Sequence, residues 1–116
     1  MSLRWEVDDY RGPHGARPVK AFLDGLADAP RDRVGAYLEM LASEGNALRF
    51  QRSRALGHGI FELRIPVPDG AIRLLYCFLQ GRRAIVLHGF TKKTQKTPAD
   101  DLALARTRKV ELTKEG

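Results

Sequence analysis

The 116-residue sequence lacks the short motifs that identify the commonest catalytic and cofactor-binding sites. It has no G-x-x-x-x-G-K-[ST] loop for nucleoside triphosphates and no G-x-G-x-x-G after a predicted strand. The G-x-S-x-G motif of a serine nucleophile is also absent. Cysteine and histidine do not recur at the spacings that bind zinc. We therefore expect neither a cofactor nor a metal ion.

Cysteine and long apolar segments are equally scarce. Cys77 is the only cysteine, so the chain cannot form an intrachain disulfide. Its place in an apolar segment fits a buried, unreactive thiol better than a nucleophile. No apolar run approaches the roughly 20 residues that a membrane-spanning helix needs, and the N-terminus has no signal-peptide pattern. We therefore expect a cytoplasmic protein that makes no membrane contact.

Positive charge, by contrast, is concentrated in the middle of the chain. The net charge is +6, from 20 Lys and Arg against 14 Asp and Glu. Residues 45–97 hold ten basic and two acidic residues, a local excess of +8. Such a concentration is typical of a surface that binds a polyanion. A solvated basic surface explains the composition equally well.

The length and the hydrophobic periodicity predict one α+β domain over residues 1–116. Residues 2–8 alternate polar and apolar, which predicts an N-terminal strand. Two amphipathic helices follow, the first opening at Pro18 and the second ending at Gly45. Their short connection predicts a helical hairpin. Residues 46–58 are predicted to form an irregular link.

The second half of the chain predicts a mainly antiparallel sheet and a last helix. Three further strands are predicted over residues 59–67, 71–79 and 84–90. The last of them is almost entirely apolar, which indicates a central position in the sheet. Thr97 is predicted to cap a C-terminal helix, with Pro98 in its first turn.

Two arginines interrupt these otherwise apolar strands. Because a short hairpin joins the two strands, Arg64 and Arg73 are expected to project from the same face of the sheet. A charged side chain within a strand needs water or a partner, and Glu62 is the alternative, purely structural partner. Basic residues outnumber acidic ones here, so we interpret the pair as part of a phosphate-binding surface.

Basic loops flank the predicted sheet. Residues 89–98, G-F-T-K-K-T-Q-K-T-P, hold three lysines and three threonines, side chains that can contact phosphate. The three arginines of residues 46–58 belong either to a solvated loop or to one wall of an anion-binding groove. His58, between two glycines, is a candidate for an exposed role. His88, within an apolar strand, is expected to be a hydrogen-bonded core residue.

Three segments closely resemble the HigB-like, phage-derived branch of the RelE/ParE toxin superfamily. They are L-G-H-G-I-F-E-L-R (56–64), I-R-L-L-Y-C-F (72–78) and I-V-L-H-G-F-T-K-K-T-Q-K-T-P (85–98). The resemblance spans most of the chain and implies a RelE-like fold. It also implies the toxin of a type II toxin–antitoxin system, a metal-independent endoribonuclease that cleaves mRNA on the ribosome. The implied partners are the ribosome, mRNA and a helix-turn-helix, HigA-like antitoxin, through which alone the toxin reaches DNA.

The resemblance also suggests residue roles. In the implied reaction the 2′-hydroxyl of a nucleotide attacks the adjacent phosphate, and arginines stabilise the developing charge. The predicted catalytic residues are Arg64, Arg73, Lys92 and Lys93, and the predicted RNA-binding residues are Arg49, Arg54, His58, Lys96 and Arg108. Glu62 stands where some RelE relatives have a lysine, so the general base stays open between the two lysines and His58. Two alternatives are a ParE-like toxin that inhibits DNA gyrase without cleaving anything and an inactive module that only binds an antitoxin.

Overall fold

A five-stranded mixed sheet with helices on both faces forms the protein. The structure, a computed structural model, describes residues 3–48, 52–92 and 97–115. The elements in chain order are β1 (Glu6–Asp9), α1 (Pro18–Asp24), α2 (Asp28–Glu44), β2 (Ser53–Gly57), β3 (Ile60–Val67), β4 (Gly70–Leu79), β5 (Arg83–Lys92) and α3 (Ala99–Glu115). The predicted α+β class and most of its element order are confirmed. Within the described ranges, no helix is both long and apolar enough to cross a membrane.

The strands lie in the order β1-β5-β4-β3-β2. β1 runs parallel to β5, and every other neighbouring pair is antiparallel. β5 therefore lies inside the sheet, as its apolar sequence predicts. Helices α1 and α2 pack on one face, where buried Val19, Val34 and Leu41 join Leu63 and Leu74 of the sheet.

Helix α3 covers part of the opposite face. Buried Ala105 and the partly buried Leu102 pack against Ile60, Leu75 and Cys77. Leu102 and Ala105 thus lie on the side of α3 that faces the sheet. The charged strand residues Glu62, Arg64 and Arg73 lie on this same face, so the position of α3 limits where a functional site can lie.

The N-terminal strand is shorter than the predicted span of residues 2–8. The hydrogen bonds to β5 begin at Glu6, whose amide donates to the carbonyl of Arg82 over 2.8 Å. The amide of Trp5 donates instead to the carbonyl of Ala42 in α2, also over 2.8 Å. Because Trp5 bonds to the helix rather than to the sheet, the strand is corrected to Glu6–Asp9.

The segment predicted to be an irregular link contains a strand. Residues Ser53–Gly57 pair antiparallel with β3, so the prediction for residues 46–58 is wrong in this part. The strand lies at the sheet edge and has an irregular register between Ala55 and Gly57. Its buried inward residue is Ser53, whose hydroxyl lies 2.6 Å from that of Tyr76. A short edge strand with a serine at this position lacks the apolar alternation by which strands are recognised.

The start of α3 also differs from the prediction. The helix begins at Ala99, and the carbonyl of Pro98 accepts a hydrogen bond from the amide of Leu102 over 3.1 Å. Pro98 therefore precedes the helix instead of lying in its first turn. Because the helix begins at Ala99, the cap position is Pro98, and the capping role predicted for Thr97 is wrong. The hydroxyl of Thr97 donates to Glu62 of β3 instead.

Gly45 ends α2 in a conformation that a side chain cannot share. Its φ is +54°, and a Cβ atom there would lie 1.9 Å from Nε1 of Trp5. We predict that Gly45→Ala lowers the free energy of unfolding by about 2 kcal/mol. Gly35 lies inside the same helix with open space around it, so Gly35→Ala is the matched control and should stabilise by up to about 1 kcal/mol. Urea unfolding measures both changes, and an unchanged midpoint for Gly45→Ala would contradict the prediction.

Candidate functional site

The register of the sheet aligns several arginines on the face that α3 partly covers. Arg64 of β3 lies directly opposite Arg73 of β4, which confirms their predicted common face. On the other side, the amide of Arg64 donates to the carbonyl of Arg52 over 2.9 Å. Arg52 precedes Arg54 by two residues and so shares its face of the sheet. We call Arg52, Arg64 and Arg73 the arginine row.

A buried carboxylate lies beside the arginine row. Glu62 is 1% exposed and accepts hydrogen bonds from Nε of Arg54 over 3.1 Å and from the hydroxyl of Thr97. Nη1 of Arg73 lies 3.6 Å from Oε2 of Glu62, an ion-pair distance too long for a hydrogen bond. The hydroxyl of Thr97 also accepts a hydrogen bond from Nη2 of Arg54 over 3.2 Å.

These contacts give Glu62 an organising role. The Glu62 carboxylate contacts two arginines and Thr97, which lies two residues before α3. It therefore attaches the start of the last helix to the sheet. The alternative role predicted for Glu62, a structural ion-pair partner, is therefore confirmed for Arg73. The sequence predicted the pair but did not predict the parts of Arg54 and Thr97 in it.

The two central arginines differ in exposure. Arg73 is 1% exposed, so its guanidinium lies below the surface. Arg64 is partly exposed, and its Nε atom is buried without a hydrogen-bond partner in the part of the chain that the structure describes. Buried guanidinium nitrogens are nearly always paired. Because Arg64 reaches the surface and Arg73 does not, Arg64 is the arginine of this pair that an anion can contact.

Lys92 ends β5 on the same face. It pairs in register with Ala71, two residues before Arg73 in β4, and it is partly exposed. Among the described residues, this face and the first turn of α3 carry five cations and three carboxylates (Glu62, Asp100 and Asp101), an excess of +2. The cations, which we call the basic face, are Arg52, Arg54, Arg64, Arg73 and Lys92. Across four neighbouring strands, then, the sheet concentrates charge that can attract phosphate.

Three of the predicted site residues, Lys93, Arg49 and Lys96, lie outside the described residues. Their roles stay predictions.

Two other predicted RNA-binding residues lie away from the arginine row. His58 is exposed in the turn between β2 and β3, with a φ of +56°. Arg108 donates from Nη1 to the carbonyl of Leu87 over 2.8 Å, and its guanidinium lies 5.1 Å from the centre of the Tyr10 ring. Arg108 thus fastens α3 to the sheet. Neither predicted RNA contact is tested by these positions.

The structure confirms the predictions for His88 and Cys77. Nε2 of His88 lies 2.6 Å from Oδ1 of Asp101 in the first turn of α3, and its ring stacks on Phe90. His88 is therefore a hydrogen-bonded residue beneath the helix. Cys77 is fully buried, and this burial raises the pKa of its thiol to about 11 despite the opposing charge of Lys109. A thiol with such a pKa is a poor nucleophile near neutral pH.

Arg52 is the site residue that the sequence reasoning missed. Its signal was the alternation of Arg52 and Arg54, which mirrors that of Glu62 and Arg64 in the next strand. Recognition of β2 as a strand would have placed these four side chains on one face.

The sequence model of a protein family described as "Phage derived protein Gp49-like (DUF891)" matches residues 21–110. The matched span includes all five cations of the basic face, together with Glu62 and Thr97. No curated protein matches the chain significantly.

Proposed function

Because the chain belongs to the Gp49-like (DUF891) family of phage-derived proteins, a HigB-like toxin family of the RelE superfamily, we propose that it is the toxin of a type II toxin–antitoxin system that cleaves mRNA on the ribosome. The observation that carries the nuclease proposal is the arginine row. There a partly exposed arginine, Arg64, lies directly opposite a buried one, Arg73.

The electrostatics of the row favour an anion. Like charges directly opposite one another in a sheet are destabilising, and Arg64 lies directly opposite Arg73. Glu62 offsets part of this repulsion, but it accepts hydrogen bonds from Arg54 and Thr97, and within the described ranges it forms no ion pair with Arg64. A phosphate bound at Arg64 would offset the rest. The row is therefore better suited to hold a phosphate than to remain empty.

In the proposed reaction the RNA supplies its own nucleophile. The 2′-oxygen forms a bond to the adjacent phosphorus, and the bond from phosphorus to the 5′-oxygen of the next nucleotide breaks. The proton leaves the 2′-hydroxyl, and another is delivered to the departing 5′-oxygen. The products carry a 2′,3′-cyclic phosphate and a 5′-hydroxyl.

The residues divide this work according to their exposure. Arg64 donates hydrogen bonds to the phosphate oxygens, where negative charge builds in the transition state. Arg73 is buried and acts as a positioning residue. Its charge lies beside Arg64 in the neighbouring strand, and Glu62 is its ion-pair partner. Lys92 at the end of β5 transfers a proton. The same role for Lys93 stays a prediction.

Family membership supports the proposed partners. We infer that a helix-turn-helix antitoxin binds the toxin and that DNA is reached only through this antitoxin. The ribosome is inferred to present the mRNA, as the resemblance to ribosome-dependent toxins implies.

Parallel assays on the purified protein test the proposed function. We expect mRNA cleavage when the protein is added to ribosomes translating a defined message, and unchanged DNA supercoiling by gyrase. Gyrase inhibition without RNA cleavage would show a ParE-like toxin instead. If neither enzyme system is affected and an antitoxin still binds, the domain is an inactive binding module.

A further inference from the structure

A second group of cations lies on the same side of the sheet but outside the basic face. Between the β2–β3 turn and α3 runs a groove lined by His58, Ile60, Arg106, Lys109 and Val110. The last three are spaced i, i+3 and i+4 and so share one side of the helix. We call this feature the α3 groove.

The turn is shaped around Lys109. Gly59 has a φ of +73°, and a Cβ atom there would lie 3.2 Å from Cε and 3.3 Å from Nζ of Lys109. The lack of a side chain at residue 59 therefore leaves room for the ammonium group beside the turn. His58 precedes this glycine and is exposed at the rim of the groove.

The charges of the α3 groove are not neutralised. Throughout the described ranges, no carboxylate lies within ion-pair distance of Arg106 or Lys109. Nearby Glu111 accepts a hydrogen bond from the hydroxyl of Tyr10. Lys20 of α1 and Arg31 of α2, by contrast, are ion-paired, Lys20 with Asp24 over 2.6 Å and Arg31 with Asp28 over 2.7 Å.

The α3 groove lies on the same face of the sheet as the arginine row and is displaced from it along β3. Ile60 and Arg64 project from the same face of β3 and are four residues apart, a distance of about 13 Å along the strand. Arg54 lies between them, opposite Glu62, with 51% of its side chain exposed. Exposed cations thus follow the strand from the groove to Arg64.

We propose that the α3 groove binds the phosphate backbone of the same RNA strand that Arg64 contacts, at nucleotides outside the cleaved bond. This inference rests on the proposed function. Arg106 and Lys109 supply the charge, and Val110, which is 52% exposed, offers an apolar contact to a sugar or a base. Backbone contacts of this kind add affinity and fix the register of the strand without taking part in the chemistry.

Fluorescence anisotropy with labelled single-stranded RNA tests this proposal. The double variant Arg106→Gln/Lys109→Gln should weaken the binding of an RNA of about 16 nucleotides roughly tenfold. For this variant the slope of log Kd against log salt concentration should be smaller by about 1.4, because each of two lost phosphate contacts on a single strand contributes about 0.7. A dinucleotide, too short to reach the groove, should bind the variant and the wild type equally.

The double variant Lys20→Gln/Arg31→Gln is the matched control. It removes the same net charge from α1 and α2, on the opposite face of the sheet, and should bind the long RNA like the wild type. An equal loss in both double variants would overturn the proposal, since net charge alone would explain it. So would unchanged affinity in Arg106→Gln/Lys109→Gln.

A ribosome-binding measurement identifies which RNA the groove binds. It also tests the groove separately from the proposed nuclease function. Weaker binding of the Arg106→Gln/Lys109→Gln variant to ribosomes without mRNA, with oligonucleotide binding unchanged, would assign the groove to ribosomal RNA and overturn the proposal. The binding readout does not depend on cleavage. A wild-type protein that binds RNA through the groove but cleaves none would refute the nuclease and leave the groove standing.

Discussion

Replacing Glu62 with alanine is expected to lower the free energy of unfolding by about 3–5 kcal/mol. The change removes a buried carboxylate and leaves the charge of Arg73 in the interior without its ion-pair partner. It also releases Arg54 and Thr97, and with them the attachment of the start of α3 to the sheet. Urea unfolding followed by circular dichroism measures the effect.

Asp24→Ala is the matched control for Glu62→Ala. It also removes the carboxylate of an ion pair, but the Lys20–Asp24 pair lies in solvent, with 52% and 58% of its side chains exposed. Exposed pairs contribute less than about 1 kcal/mol. If both variants lose a similar amount of unfolding free energy, the burial of Glu62 does not increase its contribution to stability.

A double-mutant cycle isolates the Glu62–Arg73 interaction. Once Arg73 is alanine, loss of Glu62 no longer leaves that cation buried, so the double variant should be more stable than the sum of the single losses predicts. We expect a coupling free energy of about 1–3 kcal/mol. Strictly additive losses would mean that the two side chains do not stabilise one another.

Replacing Arg64 with alanine should reduce RNA cleavage about 10²–10³-fold, the usual effect of removing one donor from a developing negative charge. The fold should survive, because Arg64 is partly exposed and one of its nitrogens has no partner among the described residues. Arg64→Lys should restore only part of the rate, since an ammonium cannot donate to two phosphate oxygens as a fork.

Two further variants, Arg83→Ala and Arg73→Ala, test whether the loss of cleavage is specific to Arg64. Arg83 is exposed at the opposite end of β5 from Lys92, and its loss should leave the cleavage rate unchanged. Arg73→Ala should lower both the rate and the stability, because Arg73 is buried against Glu62. Cleavage by folded Arg64→Ala at the wild-type rate would remove Arg64 from the mechanism.

The sequence predicted the faces of the strands but not the depth of the residues on them. Alternation along β3 and β4, with the Pro68–Asp69 turn between them, is a local signal, and it correctly placed Arg64 and Arg73 together. That Arg73 is buried and Arg64 is not depends on packing from distant segments. The position of Thr97 on Glu62, 35 residues away in the chain, is one such contact.

Polar side chains account for the two other differences. Strand β2 was missed because its inward residue, Ser53, is polar and pairs with the hydroxyl of Tyr76. The apolar alternation that predicts a strand is therefore missing there. Thr97 fits the pattern of a helix cap equally well with or without a buried carboxylate nearby. Only the fold shows that Glu62 is within reach.

Mapping the ends of mRNA fragments after translation by purified ribosomes tests the nuclease most directly. The proposed function predicts cuts inside the codon at the decoding site, with a 2′,3′-cyclic phosphate on one side and a 5′-hydroxyl on the other. It also predicts that Arg64→Ala removes these cuts while Arg83→Ala keeps them. Intact mRNA in the presence of demonstrably folded wild-type protein would contradict the proposed nuclease.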